Sequence, residues 1–399
     1  MKTTFSEVLK PSLTRSLCSR TFALAISCLA VVQMPAKADE ADARKALPDI
    51  KLPPGFEIEL FADIPGARHM AVSPDGETVI VGTTGRDVWR LVVSNGQVRE
   101  KHRFSPQSVG DRLNGPCFAP DGTLFIASPN RVTAFRPLPG GKIDEEHPKV
   151  IAKEGALVPE AEVGSYHDAR VCRVGPDQRL YITIGQRYNV PPPQKLDLYN
   201  AWGIGGIVRY RLDGTAREVF ARGIRNSVGL DFNPTDGTLW FTDNQVDGMG
   251  DDVPVGEINH AARAGQNFGF PWYGGGHTRT KEYANTTPPD GVVFPTVEEV
   301  AHAADLGIIF YRGSTFPKPW RGIYSAQHGS WDRSVPVGAR VMFTPIENDS
   351  AGKSQPFAEG WNQGDGSYLG RPVDVAELAD GSLLVSDDQN GVLYRIAYK

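Results

Sequence analysis

The chain runs to 399 residues, 40% hydrophobic and 22% charged, with a formal net charge of −5. That apolar share supports a sizeable core and excludes a mostly disordered chain, while the acidic balance disfavours nucleic acid and anionic lipid as partners. Its 43 Gly and 31 Pro exceed the roughly 12% of average usage, which argues against a helical bundle and for a turn-rich, all-β fold.

Residues 1–38 read as an export leader. Lys2, Lys10, Arg15 and Arg20 accompany an uncharged apolar run from Thr21 to Val32, and Ala36-Lys37-Ala38 puts small residues at both positions of an A-x-A cleavage site. The run is shorter than the roughly 20 residues a membrane span needs. We therefore expect a cleaved signal peptide, a periplasmic or secreted product and no membrane span, with an uncleaved anchor as the alternative. Cys28, preceded by Ala25-Ile26-Ser27, fits a lipobox poorly. Cleavage removes five Lys/Arg and one Glu, taking the formal charge from −5 to −9. Only Cys117 and Cys172 then remain, and spacing alone leaves their pairing open. The chain has no Cys-x-x-Cys, which excludes a covalent haem c or a zinc ribbon.

From residue 39 onwards the sequence reads as one domain. Gly55 to Ala62 (GFEIELFA) is a strand with no turn of its own. A turn-and-strand unit then recurs. Pro74-Asp75-Gly76 leads into TVIVG, Pro120-Asp121-Gly122 into TLFIAS, Pro176-Asp177 into QRLYITIG and Pro234-Thr235-Asp236-Gly237 into TLWFTD. A divergent copy at Pro319-Trp320-Arg321-Gly322 leads into IYSAQHGSW, and Ala379-Asp380-Gly381 leads into SLLVSD. Asp-Gly favours a tight hairpin turn, and the β-branched or aromatic run after it suits a half-buried strand. One such sheet cannot bury both faces alone, so the units must pack on each other. Six copies predict a six-bladed β-propeller, closed by pairing GFEIELFA with the C-terminal VLYRI and carrying a long insertion near 245–315. A two-sheet sandwich is the alternative. In a propeller, a ligand site is expected where loops surround the channel at one face.

Several segments could carry chemistry. His167, in YHDARVCRVGPD, has the ordinary pKa of a base working near neutrality, and Arg170 nearby disfavours its protonated form; on these residues alone a satisfied surface histidine is the simpler account. Gly223 to Leu230 (GIRNSVGL) pairs flexible glycines with the cation Arg225 and the dual donor-acceptor Asn226, which suits an anionic or quinoid ligand. Asp243 to Asp252 (DNQVDGMGDD) is an acidic, Gly-rich loop of the kind that holds Ca²⁺ through oxygen, without EF-hand spacing; a solvated loop is the alternative. Gly265 to Pro271 (GQNFGFP), with Trp272 and Tyr273, reads as a lid. His328 to Arg333 (HGSWDR) and Gly370-Arg371-Pro372 add polar groups at blade entrances. The chain lacks GxGxxG, Walker, HExxH and GxSxG motifs, so nucleotide, zincin and lipase readings lack support.

In this order the motifs GIRNSVGL, DGMGDDVPVGEIN with GQNFGFPW, HGSWDR and GRPVDV resemble those of the exported pyrroloquinoline quinone (PQQ)-dependent sugar dehydrogenases of the glucose/sorbosone dehydrogenase family. The resemblance covers nearly the whole mature chain and implies a six-bladed propeller. It implies His167 as the base that takes a hydroxyl proton while hydride passes to the quinone C5, and Arg225 as the group stabilising charge on the quinone oxygen. It further implies Asn114, Asn226, His328 and Arg371 around the cofactor, with Ca²⁺ polarising the reacting carbonyl. His328 stands where some relatives have Lys, and Val373 where they have a second Arg. The pair that ligates Ca²⁺ through main-chain carbonyls falls on Gln245-Val246, so Gln245, Val246 and Asp247 are the implied metal residues. The expected activity is oxidation of a sugar hydroxyl or hydrated aldehyde, with electrons passed to an external acceptor, a cytochrome or a quinone. The alternatives are a calcium-dependent lactone hydrolase on a six-bladed propeller, or a non-catalytic propeller that binds a partner.

Overall fold

The computed structural model describes residues 40–105, 109–164, 166–347 and 350–399; the expected leader at 1–38 lies outside them. Among the described residues, six sheets of at least four strands, antiparallel but for one added edge strand, follow one another along the chain, with a separate two-stranded hairpin beside them. Their innermost strands are Ala67–Val72, Gly115–Phe118, Cys172–Val174, Leu230–Phe232, Asp305–Phe310 and Pro372–Glu377. Each lies beside the next and the last beside the first, so the sheets form a six-bladed β-propeller.

Burial falls from the second strand of a blade to its edge. Thr78–Thr83 in blade one is buried at all six positions, whereas the outer strand Gln97–Phe104 is exposed at most of its length. A blade clasped between two others must present apolar groups on both faces, which is why the second strands read as unbroken β-branched and aromatic runs. The core therefore lies between blades. Val79 and Val81 meet Leu384 and Leu393 across blades one and six, and Trp240 and Ile258 meet Ile308 and Ile323 across blades four and five. Each such side chain contributes about 1.5–3 kcal/mol of burial.

The Asp-Gly motifs are the turns between the first and second strands of the blades. In four of them an Asp side chain accepts the backbone N–H two residues on, as Asp75 does from Glu77 and Asp121 from Thr123, and the following Gly takes positive φ. At Pro176-Asp177 the positive φ is taken by Gln178. The divergent copy is built differently. Lys318–Trp320 forms a 3₁₀ turn, and Gly322 opens the next strand where a Cβ would lie 2.4 Å from the Thr344 carbonyl oxygen.

Blade six is completed from the opposite end of the chain: Phe56–Asp63 pairs antiparallel with Val392–Tyr398, from Phe56 opposite Tyr398 to Asp63 opposite Val392. The stretch expected as one insertion at 245–315 is narrower. It contains Gly256–Ala261 and Val297–Glu299 of blade four and Asp305–Phe310 of blade five, leaving 262–296 as the excursion. Nor is GQNFGFP a lid. Gln266–Asn267 adds a parallel fifth strand to blade three beside Ala221 and Arg222, and the Phe270 N–H donates to the Gly223 carbonyl at 3.0 Å. One motif thus buttresses the other.

Cys117 and Cys172 form a disulfide with their Cα atoms 5.7 Å apart, stitching the innermost strands of blades two and three. It closes a loop spanning 55 positions, a length for which loop-closure entropy sets a ceiling of about 4 kcal/mol. Replacing both cysteines by alanine should lower the urea-unfolding free energy by about 2–4 kcal/mol; an unchanged midpoint and slope would show that the bridge adds nothing to the packing of these blades.

Candidate active site

In an antiparallel blade the start of the first strand and the end of the second lie at the same end. His167, Arg225 and Asn226, and His302 precede the first strands of blades three, four and five; Asn189, Gln245 with Asp247, and Trp331 with Asp332 follow their second strands. Most of these residues therefore converge on one cleft of about 610 Å³, lined by Tyr166, His167, Asn189, Arg225, Asn226 and Gln245, among others. Its volume lies within the ~300–1,000 Å³ usual for small-molecule sites. The Tyr166 and Trp331 rings at its mouth are each 74% exposed.

His167 is held in one tautomer. Its Nδ1–H donates to the Gln186 carbonyl at 2.6 Å, which leaves the lone pair on Nε2. Burial lowers its pKa to about 4, with the positive charge of Arg225 and then Arg170 adding to the effect. The ring is therefore neutral at any pH well above 4. Between pH 4 and 6.5 the unfolded chain binds a proton that the folded one refuses, so this site subtracts stability as pH falls through that window.

Arg225 is almost fully buried. Nη2 donates to Asp247 Oδ2 at 2.6 Å and Asn189 Oδ1 at 2.9 Å, Nε to the Asn189 carbonyl and Nη1 to the Asn244 carbonyl, each at 3.2 Å. Below it, the buried Asp243 carboxylate accepts the backbone N–H of Arg225 at 2.8 Å and of Asn226 at 2.6 Å. Burial raises the Asp243 pKa to about 6 against these bonds. Asp243, expected in an acidic calcium loop, thus fixes the backbone of the Arg-Asn pair. The Asn226 Oδ1 is buried without a hydrogen-bond partner among the described residues. Gly185 makes room for it, since a Cβ there would lie 2.6 Å from that oxygen.

The remaining acids of the same loop separate. Asp251 accepts from Ser334 and from its backbone N–H at 3.1 Å, and Asp252 pairs with Arg333 at 3.2 Å. Asp247 instead gathers with His302 and Asp332, one ligand atom from each lying within 4.8 Å of the others. Gln245 lines the cleft beside them. The Val246 side chain is buried and its N–H donates to the Gly274 carbonyl at 2.7 Å.

Asn114, His328 and Arg371 are not among the residues that line this cleft; they belong to a network at the same end of blades one, two, five and six. Arg68 donates to Asn114 Oδ1 at 3.0 Å and to Asp388 at 2.8 Å, and His328 Nε2 donates to the other Asp388 oxygen at 2.8 Å. Burial alone would raise the Asp388 pKa, but His328 and Arg68 hold it below the usual carboxylate range. Burial keeps the His328 pKa below the ordinary imidazole value. Arg371 donates to the His328 and Gly329 carbonyls at 2.9 and 2.6 Å and lies 4.9 Å from the centre of the Tyr368 ring. The two groups meet where the His328 N–H donates to the carbonyl of Ala304, a cleft residue.

With this geometry in place, a sequence profile described as glucose / sorbosone dehydrogenase matches residues 142–395, well over half of the chain. The chain belongs to the glucose/sorbosone dehydrogenase family. It is also 30% identical over 364 residues to an uncharacterized protein of Borreliella burgdorferi, covering 88% of this chain and 91% of that one. Solved structures share the fold, two of them as follows. One is the iodide structure of Trichoderma reesei carbohydrate-active enzymes family AA12, with TM-score 0.74, 20% identity, and 88% of this chain and 98% of that one covered. The other is the holo form of the pyranose dehydrogenase PQQ domain from Coprinopsis cinerea, with TM-score 0.71, 17% identity, and 87% and 97% covered.

The cleft fits a planar quinone. Asn226, the Arg225 cation and the neutral His167 are among its polar groups, and aromatic faces stand at its mouth. Calcium fits less well, because calcium takes oxygen ligands and the metal-type cluster includes the His302 ring. Sequence reading missed Arg68, Asn189, His302 and Asp388, which carry no motif of their own. Their roles come from loops that are distant along the chain and adjacent in space.

Asp243→Ala leaves two buried N–H groups without an acceptor, a loss of about 1–3 kcal/mol for each. Urea unfolding at pH 7 should show a loss of about 2 kcal/mol or more, and stability equal to that of the parent would refute the backbone-holding role.

Proposed function

We propose that this protein is an exported quinoprotein that oxidises a sugar hydroxyl or hydrated aldehyde, with pyrroloquinoline quinone as its cofactor and an external cytochrome or quinone as electron acceptor. The carrying observation is His167: a neutral imidazole with its tautomer fixed by Gln186 and its Nε2 lone pair without a partner among the described residues, in a cleft shared with a buried arginine. Family membership supports the substrate class.

A sugar hydroxyl placed at Nε2 gives its proton to His167, and the carbon, losing hydride, becomes a carbonyl. When bound, the quinone supplies the two-electron acceptor for that hydride. Arg225 brings a fixed positive charge to the cleft where negative charge develops, and because Asp247, Asn189 and Asn244 already orient it, little reorganisation is needed in the reaction. Asn226 offers the cofactor an amide whose oxygen has no other partner among the described residues. Tyr166 and Trp331 offer ring faces to a planar cofactor or a sugar at the mouth. A base with its pKa near 4 is weak but available across the neutral range, so the same arrangement predicts an acid limb in kcat/KM near pH 4 rather than near 6.5.

The test is a titration of purified protein with pyrroloquinoline quinone and a divalent cation, followed by dye reduction with a panel of aldoses. Saturable binding and sugar-dependent reduction are expected. His167→Ala should keep binding while losing about 10²–10⁴-fold in turnover. Full turnover in that variant, or no quinone binding at micromolar concentration, refutes the reading.

A further inference from the structure

The junction of blades four and five holds two acids that no motif marks. Glu299 ends the edge strand Val297–Glu299 of blade four, and Asp305 opens the first strand of blade five. They are 4% and 0% exposed. One amide group reaches both: Gln327 Nε2 donates to Glu299 Oε2 at 3.2 Å and to Asp305 Oδ1 at 2.9 Å. Gly256 lies opposite Glu299 in the neighbouring strand, and a Cβ there would lie 2.1 Å from Asp305 Oδ2 and 3.3 Å from the Glu299 Cβ. The two carboxyl groups thus share one small space that only glycine leaves open.

Their hydrogen bonding is incomplete in a matched way. Glu299 Oε1 and Asp305 Oδ2 are both buried without a partner among the described residues. Both hydrogens of the Gln327 amide are in use, and the Arg340 Nε–H donates to Gln327 Oε1 at 2.7 Å. The Ser354 hydroxyl is paired with Thr344. Lys353 lines a groove outside Glu299, and Glu257 and Glu298, which pair with each other one position along, lie on the opposite faces of their strands. Two ionised carboxylates here would stand side by side with no cation bonded to either among the described residues. A single hydrogen, carried by one acid and accepted by the other, completes both. Burial raises both pKa values, and the Glu299 charge adds to the effect at Asp305, against Gln327, Arg340 and, for Glu299, Ser354.

We propose that Glu299 and Asp305 share one proton, forming an acid pair that clasps blades four and five and makes their junction pH-sensitive. With that proton in place the pair carries one negative charge, which Arg340 offsets through Gln327. Loss of the proton leaves two like charges between the blades. The clasp bears on the cleft: the Asp305 carbonyl accepts from Asn244 Nδ2 at 3.0 Å, and the Asn244 carbonyl accepts from Arg225 Nη1 at 3.2 Å. Two hydrogen bonds thus separate the acid pair from the guanidinium that bears on His167.

The clasp does not rest on the dehydrogenase reading, and its test uses neither quinone nor sugar. Urea-unfolding constants are measured from pH 5 to pH 7 for the parent and for the double variant Glu299→Gln, Asp305→Asn, which has no acid to share a proton. The folded pair keeps one proton that both acids give up in the unfolded chain. The parent's unfolding constant should therefore rise with pH by about tenfold per unit relative to the variant's. Asp305→Asn alone, whose amide offers Glu299 a permanent N–H, should abolish the same dependence, and it keeps the test decisive if the double variant does not fold. An equal pH dependence in parent and variant would mean that both acids are ionised, and a difference of about a hundredfold per unit would mean that each keeps a proton of its own. Either result overturns the assignment.

Discussion

One buried guanidinium organises the cleft. Arg225 is held by a carboxylate, a side-chain amide and two backbone carbonyls drawn from the loops after the second strands of blades three and four. Removing such a charge from water is costly, and its surroundings are arranged to offset that cost: Asp247 for the charge, Asn189 and Asn244 for the remaining N–H groups, and Asp243 for the backbone beneath it. The same charge reaches His167, where it reinforces the burial that keeps the ring neutral. A buried cation and a neutral imidazole thus come from a single arrangement.

The propeller makes that arrangement possible with short loops. A blade turns its first and second strands with an Asp-Gly hairpin at one end, leaving the opposite end free for the loops that bear function. Ring closure by Phe56–Asp63 against Val392–Tyr398 and the disulfide between blades two and three hold the innermost strands in register. The excursion at 262–296 serves the site indirectly: its first strand lies against the Arg222–Gly223 backbone, just before Arg225.

The fold was largely legible in the sequence because its turns are chemically distinctive. Asp-Gly marks four of the six hairpins and Asp177 a fifth, and the apolar runs after them mark the second strands. The innermost strands were hidden, since CRV and LDF are too short to show a period, and the bounds of the excursion were hidden for the same reason. The site was legible where residues act as a local motif, as with Arg225 and Asn226. It was not legible at His302, Asn189, Arg68 or Asp388, whose partners lie in other loops. Asn114, His328 and Arg371, which the resemblance puts around a cofactor, lie in a network beside the cleft, where Arg68 and Asp388 bind two of them.

The account stands on the state of His167. Protein labelled with ¹⁵N-histidine, with the resonance assigned through His167→Gln, can be titrated by NMR without cofactor or substrate. The structure predicts the Nδ1–H tautomer and a pKa near 4. Titration near the ordinary histidine value of about 6.5, or a proton on Nε2 in the neutral ring, would contradict it.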